Sequence, residues 1–296
     1  MKAFDYLAAQ SKEQVLALLS QHGDKARILN GGTDLVVQMR EGHQRPDLLV
    51  DIKAVPEVNQ LAYDPRRGLL IGAAIPCWHI CHRQEVEKHY LGLIDAIGLI
   101  GGVQIQNRAT LGGNLCNASP AADSIPALIV HAAMCVIAGP QGEREVRVES
   151  FCIAPGQTIL QPDEFLVALR LPSPASCSGA GYLRFTPRAE MDIAVAGAGA
   201  QVILSSDGKE FASARIALGG VAPTPLFVAE AGEALVGQPV TQNALEQAAH
   251  IAREAARPID DLRGSQAQRR HLCGVLVKRS LERAIQRARE KLTEEP

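Results

Sequence analysis

A chain of 296 residues with 30 Lys and Arg against 32 Asp and Glu, a net charge of −2 and 47% hydrophobic residues has material for two domains with buried cores. That balance leaves no broad basic field and excludes nucleic acid and anionic lipid as expected partners. Seven cysteines, an odd number, read as reduced thiols. The first residues lack a signal-like apolar run and the longest apolar stretches are interrupted, so no transmembrane segment and a cytoplasmic location are expected.

Residues 12–20 place Val15, Leu16, Leu18 and Leu19 at helical spacing, and residues 26–29 form a short apolar run that ends at Gly31-Gly32. The opening therefore reads helix, strand, glycine turn. Leu35, Val36 and Met39 resume a helical period, with Thr33 or Asp34 expected to cap it, so the first glycine pair is expected at a helix N-terminus. Residues 48–52 and 69–73 read as buried strands and residues 78–89 as a helix. Cys77 and Cys81 would share a helical face in Cys77-Trp78-His79-Ile80-Cys81-His82, but a second ligand pair at similar spacing is missing, and small packing residues are the better reading than a metal site.

Residues 91–100 form an apolar helix ahead of a second glycine pair, Ala109-Thr110-Leu111-Gly112-Gly113-Asn114. Ser119 before Pro120 signals an N-cap and a first turn, so another helix N-terminus is expected to face the second pair. Strands follow at 134–137, 146–148 and 165–171. The run Ser173-Pro174-Ala175-Ser176-Cys177-Ser178-Gly179 is a compositional break and the expected domain boundary. Beyond it, residues 181–185, 193–204 and 213–218 read as strands of an antiparallel sheet, with a hairpin turn at Ser205-Ser206-Asp207-Gly208. Residues 241–257 and 266–291 are long helical patterns. The arginines of the second read as a solvated face, diluted by Glu282, Glu290 and Glu294.

A backbone without side chains lets successive N–H groups converge on one anion. A single Gly-Gly is usually only a turn, yet two pairs in matching settings could grip two ends of a large phosphorylated cofactor. Gly197-Ala198-Gly199-Ala200 lacks the third glycine of a dinucleotide fingerprint and reads as close strand packing. No Walker-type lysine, Gly-x-Ser-x-Gly elbow or His-Glu-x-x-His stretch occurs, so the chain is poor in acids, bases and nucleophiles. It reads as a holder of a cofactor, with no catalytic residue and no metal of its own.

Leu29-Asn30-Gly31-Gly32-Thr33-Asp34-Leu35, the stretch from Val103 through Gln104-Ile105-Gln106-Asn107-Arg108 to Asn114, and Ser119-Pro120-Ala121-Ala122-Asp123 resemble the FAD-binding medium subunit of the molybdenum-containing hydroxylases. That family includes the flavoprotein chains of xanthine dehydrogenase and carbon monoxide dehydrogenase. Tyr182-Leu183-Arg184-Phe185, Met191-Asp192-Ile193-Ala194, Gly219-Gly220-Val221-Ala222-Pro223 and Asp261-Leu262-Arg263-Gly264-Ser265 continue the likeness through the C-terminal half. The resemblance implies an α+β architecture. A FAD-binding domain of the vanillyl-alcohol-oxidase (PCMH) type would occupy residues 1–177, in subdomains of about 1–55 and 56–177, with a smaller C-terminal domain of antiparallel sheet and helices over 178–290.

It also implies roles. Leu29, Asn30, Gly31, Gly32, Thr33 and Asp34 would wrap the pyrophosphate and adenosine side through backbone amides. Thr110, Gly113 and Asn114 would complete the cradle, with Ala109 packed beside it. Asp123 would accept hydrogen bonds from flavin-side hydroxyls, with Ser119 and Ala122 on the same wall, and Leu166 would meet the flavin ring. Arg184 falls where the family often has a lysine near the pyrimidine end. Ile100, Ile105 and Cys116 complete the cofactor-binding set, Cys116 as a small packing residue. Gln106 and Gln268 depart from the family pattern, and no cysteine-rich insertion for an iron–sulfur cluster appears. The implied partners are a large molybdopterin-binding subunit and a small subunit with two [2Fe-2S] clusters, as a dimer of heterotrimers, with NAD+, O2 or a quinone as electron acceptor. The alternative is a self-contained flavin oxidase or dehydrogenase of the same fold family, for which the first glycine motif lacks the His or Cys of a covalent flavin link. A scaffold of the same fold without flavin would leave two intact glycine turns unexplained.

Overall fold

The computed structural model describes residues 2–189 and 191–294. Strand β1 (Asp5–Ala8) opens the chain, and Ser11 caps α1 (Lys12–His22) by accepting the Gln14 N–H. β2 (Ala26–Leu29), α2 (Leu35–Glu41) and β3 (Leu48–Asp51) follow, and the three strands form a parallel sheet in the order β1-β3-β2. β3 is buried along its length because strands flank it on both edges and α1 contributes Val15 and Leu19 to its core.

Strands β4 (Leu61–Asp64) and β5 (Gly68–Gly72) pair as a hairpin. Six short helices come next: α3 (Cys77–Cys81), α4 (Gln84–His89), α5 (Leu91–Ile97), α6 (Val103–Gln106), α7 (Leu111–Cys116) and α8 (Ser124–Val130). β6 (Met134–Gly139) and β7 (Gly142–Arg147) precede a ribbon of β8 (Cys152–Ala154) and β9 (Gln157–Thr158), and β10 (Phe165–Leu171) closes an antiparallel sheet ordered β4-β5-β10-β6-β7. One face of that sheet buries Val136, Ala138 and Phe165 against α1 and the parallel sheet. The other buries Cys135, Ile137 and Leu169 against Leu93, Ile97, Leu111 and Leu128 of the helices. The register of β10 on β6 slips between Leu166 and Ala168, a bulge that puts Leu166 on the helical side and both Val167 and Ala168 on the other.

β11 (Ser178–Phe185), β12 (Ala196–Leu204), β13 (Phe211–Gly219) and β14 (Leu226–Phe227) form the expected antiparallel sheet in sequential order. α9 (Ala229–Glu233), α10 (Gln242–Ala255) and the long α11 (Gln266–Glu294) cover one face, with Val277, Leu281, Ala284 and Ala288 against Ala196, Ala198, Ala200 and Val202. Small residues on β12 let helices approach on both sides. A Cβ at Gly199 would lie 3.0 Å from the Pro126 carbonyl of α8, and Ser280 Oγ donates to the Ala198 carbonyl (2.9 Å). Gly199 thus serves the approach of α8, and Gly197 makes room for the Tyr182 side chain of β11.

Several expectations fail for physical reasons. The helix expected over 78–89 breaks at His82 and Arg83 into α3 and α4. The helix signalled by Ser119-Pro120 begins only at Ser124, because the Pro120 carbonyl accepts the Gly220 N–H (2.7 Å) and Ala118 adopts φ 48°, so the approach is an irregular loop. The arginines of α11 are a solvated face only in part: Arg270, Arg279 and Arg289 are exposed, but others turn inward. Arg269 is buried and donates to Val195, Gly220 and Asp261, while Arg287 makes a paired contact to Asp95 of α5 (2.6 and 3.0 Å). No helix among the described residues is long and apolar enough to cross a membrane.

Candidate functional site

The two glycine pairs meet. A Cβ on Gly31 would stand 1.9 Å from the Arg108 carbonyl oxygen, so the turn after β2 and the segment before α7 touch backbone to backbone only because residue 31 has no side chain. Gly112 does the same against Ala73, where a Cβ would lie 2.6 Å from the carbonyl oxygen. Gly32 and Gly113 differ. Gly32 has φ 76°, and a Cβ on Gly113 would have only Thr110 Oγ1 (3.0 Å) and Asn30 Cβ (4.0 Å) near it. One glycine of each pair closes a backbone contact; of the other two, a Cβ on Gly32 would meet the side chains of Leu29 (3.0 Å) and Val36 (3.4 Å), whereas Gly113 faces open space.

That space is a cleft of about 910 Å³. It is bounded by Asn30, Gly31, Gly32, Thr33 and Asp34 from the first segment, by Ala109, Thr110, Gly113, Asn114 and Cys116 from the second, and by Ile100, Ile105 and Leu166. Five residues of the expected set lie off its lining: Leu29, Ser119, Ala122, Asp123 and Arg184. The last two pair with each other. Arg184 Nη1 donates to Asp123 Oδ2 (2.5 Å) and the buried Tyr182 hydroxyl to Asp123 Oδ1 (2.7 Å), with both charged side chains less than a tenth exposed. Burial raises the Asp123 carboxyl above its usual range, against the opposing pull of Arg184 and Tyr182. The neighbouring Ser124 Oγ donates to Asn114 Oδ1 (2.6 Å), which ties this cluster to the cleft wall.

Neither Thr33 nor Asp34 caps α2: Asp34 sits at the cap position in a helical conformation and its side chain accepts no bond there. The backbone N–H groups of Gly31, Gly32, Thr33 and Asp34 make no hydrogen bond among the described residues. Four consecutive unspent donors on residues that line the cleft suit an anion there. The second segment is built differently. Gly112 and Gly113 lie inside the first turn of α7, Thr110 Oγ1 accepts the Gly113 N–H (2.9 Å), and what faces the cleft is a bare backbone surface. Asn30 Oδ1 is buried without a partner while its Nδ2 donates to the Ala73 carbonyl (3.2 Å), leaving an acceptor for a bound group.

Other lining residues escaped sequence reasoning: Arg27, Gln38, Gln44, Asn117 and a wall from Ile153 to Glu164. Gln38 Nε2 donates to Asn117 Oδ1 (2.9 Å), joining α2 to the loop after α7. A polar residue three positions after Leu35, where the apolar stripe should continue, is the signal that could have flagged Gln38. The β8–β9 ribbon carries no such mark. Burial pushes the Cys116 thiol up to about 12, which suits a packing residue. Burial likewise pushes Cys77 and Cys81 up to about 12 and about 11, and the described residues hold no cluster of three metal-ligating side chains. Gln106 Nε2 donates to the Gly98 carbonyl (2.8 Å), fastening α6 beside Ile100 and Ile105.

Residues 2–174 match the family model described as the FAD binding domain in molybdopterin dehydrogenase, and residues 181–284 match the CO dehydrogenase flavoprotein C-terminal domain. The chain is 30% identical over 288 residues to a putative xanthine dehydrogenase FAD-binding subunit of Escherichia coli K12, covering 97% of this chain and 98% of that one. It is 32% identical over 281 residues to the carbon monoxide dehydrogenase medium chain of Hydrogenophaga pseudoflava, covering 95% and 96%. A solved carbon monoxide dehydrogenase from H. pseudoflava that lacks the Mo-pyranopterin moiety superposes with a TM-score of 0.93 at 32% identity, over 97% of this chain and 98% of the other.

Proposed function

The chain belongs to the FAD-binding subunits of the molybdenum hydroxylases, and from that premise we propose that it is the electron-transfer subunit of a heteromeric cytoplasmic hydroxylase. It would receive electrons from [2Fe-2S] clusters on a small partner, fed by a large molybdopterin-bearing partner, and deliver them to NAD+, O2 or a quinone. Residues 1–177 would hold the cofactor and 178–290 would support them, within a dimer of heterotrimers. An obligate assembly of this kind buries roughly 2,000 Å² or more at an interface.

The observation that carries the reading is the row of unspent N–H groups from Gly31 to Asp34, on residues that line a cleft of about 910 Å³. They fit a diphosphate, whose charge is spread over oxygens that accept several short hydrogen bonds without a paired cation. Gly113 leaves the room a close-lying phosphate or ribityl chain requires, and Asn30 Oδ1 would accept from a hydroxyl or amine of the ligand. Leu166, Ile100 and Ile105 would exclude water from the flavin end. Bound FAD supplies the exchange between one-electron and two-electron carriers. Asp123, Ser119, Ala122, Leu29 and Arg184 would stand behind this surface, with the Arg184–Asp123 pair holding a buried charge close to the Asn114 wall.

The test is purification of the complex from its native host, followed by visible spectroscopy and mass analysis. A flavin spectrum overlaid with [2Fe-2S] bands and two co-purifying chains is the expected result. A flavin-bearing chain that purifies alone and turns over a substrate would instead favour the self-contained oxidase.

A further inference from the structure

Behind the first glycine segment lies a group of side chains that never reaches the cleft. Lys53 follows β3, and its Nζ donates to the Asn30 carbonyl oxygen (3.2 Å) and pairs with Asp51 Oδ2 (2.6 Å). Asp51 is buried, and it also accepts the Tyr6 hydroxyl (2.6 Å) and the Lys53 N–H (3.0 Å). Desolvation opposes the charge on Asp51, but the Lys53 ammonium and the Tyr6 hydroxyl outweigh it and hold the carboxyl below its ordinary range. The ammonium is thus anchored by an ionised partner before it meets the turn.

A trans peptide is planar, so its C=O and the following N–H point in opposite directions. With the Asn30 carbonyl drawn back onto Lys53, the Gly31 N–H is turned away from Lys53, and Gly31 is the first of the four residues that line the cleft with unpartnered amides. We infer that Lys53, oriented by Asp51 and Tyr6, is a positioning residue for diphosphate binding: it fixes the peptide plane between Asn30 and Gly31 so that the row of N–H groups is aligned before the cofactor arrives. The inference rests on the reading that this cleft holds FAD. Asp51 is the last residue of a central strand and Lys53 stands in the turn just beyond it, so the ammonium is held through its ion pair to a rigid element.

The experiment uses the full chain stripped of flavin, titrated with FAD and with ADP at low salt, alongside melting of the stripped protein. ADP carries the diphosphate without the flavin. Lys53→Met is expected to weaken both ligands by the same factor, about tenfold or more, the size of a hydrogen bond to a charged group. Lys53→Arg, which keeps a cationic donor, is expected to recover most of that loss. A role confined to folding would lower the melting temperature and leave both affinities alone. Unchanged affinities in Lys53→Met, or a loss for FAD without a loss for ADP, overturn the inference. Should Lys53→Met fail to fold, Lys53→Gln and Asp51→Asn are read against the same outcomes. A wild-type chain that binds neither ligand would sink the FAD reading itself, and that is seen before any variant is made.

Discussion

Changing each glycine of the contact to alanine separates what holds the cleft together from what the cleft holds. In Gly31→Ala the new methyl would lie 1.9 Å from the Arg108 carbonyl oxygen, so two backbone segments must part by about 1.5 Å to restore ordinary contact. Overpacking of that kind costs about 1–3 kcal/mol, and here the obstacle is backbone, which cannot swing aside as a side chain can. The variant is expected to lose several degrees of melting temperature and most of its FAD. In Gly113→Ala the methyl meets only Thr110 Oγ1 at 3.0 Å, and alanine within a helix gains up to about 1 kcal/mol over glycine. The stripped protein should therefore melt within about 1 kcal/mol of wild type, while a methyl intruding on the ligand weakens FAD by about 1–3 kcal/mol, or roughly 5- to 150-fold. Calorimetry of the stripped chains and fluorescence titration with FAD measure both. Wild-type affinity in Gly113→Ala, or equal stability of the two variants, refutes the division of labour.

His131 is buried with Nε2 unpartnered, and burial, aided by Arg287 and Lys291, brings it down to about 4. The unfolded chain binds that proton near pH 6.5, so this contribution is present above pH 6.5 and lost as pH falls toward 4; it amounts to about 2 kcal/mol between pH 7.5 and 5. Urea melts across that range should be flatter for His131→Leu, and a variant whose profile keeps the wild-type slope would clear His131 of responsibility. Arg184→Met leaves Asp123 buried without its cation, at a cost of about 3–5 kcal/mol at neutral pH. Because Asp123 is already raised by burial, the lost cation raises it further, and the deficit should shrink as pH falls and the carboxyl is neutralised. Thermal melts at pH 5 and 8 decide the matter: a deficit that is constant or grows in acid contradicts the assignment.

Local punctuation carried much of the fold into view. Ala26–Leu29, the glycine pair and Leu35 appear in the structure in the order their chemistry suggests, and Phe165–Leu171 matches its expected strand. Short edge strands did not announce themselves: Asp5–Ala8 and Leu61–Asp64 are only four residues long, too short for a period to stand out from loops. Among the arginines of α11, Arg270, Arg279 and Arg289 are exposed as expected, but Arg287 misled because its partner is remote in the chain; Asp95 lies 192 residues before it. At the cleft, the glycines were legible as residue types, but not the division between Gly31, which closes a backbone contact, and Gly113, which faces space. Only a fold that brings Arg108 against residue 31 creates that distinction.

The contact between Gly31 and Arg108 has a thermodynamic corollary. The cleft has no floor of its own: its base is the seam between a small parallel sheet and the helices beyond it, and a ligand lying there touches both. Occupancy and closure of the seam are then one equilibrium. A ligand present at a hundred times its dissociation constant adds about 2.7 kcal/mol to whatever holds the seam shut. Flavin that leaks away would take with it part of the joint, so that loss of redox capacity and local opening of the N-terminal sheet would be a single event seen by two probes.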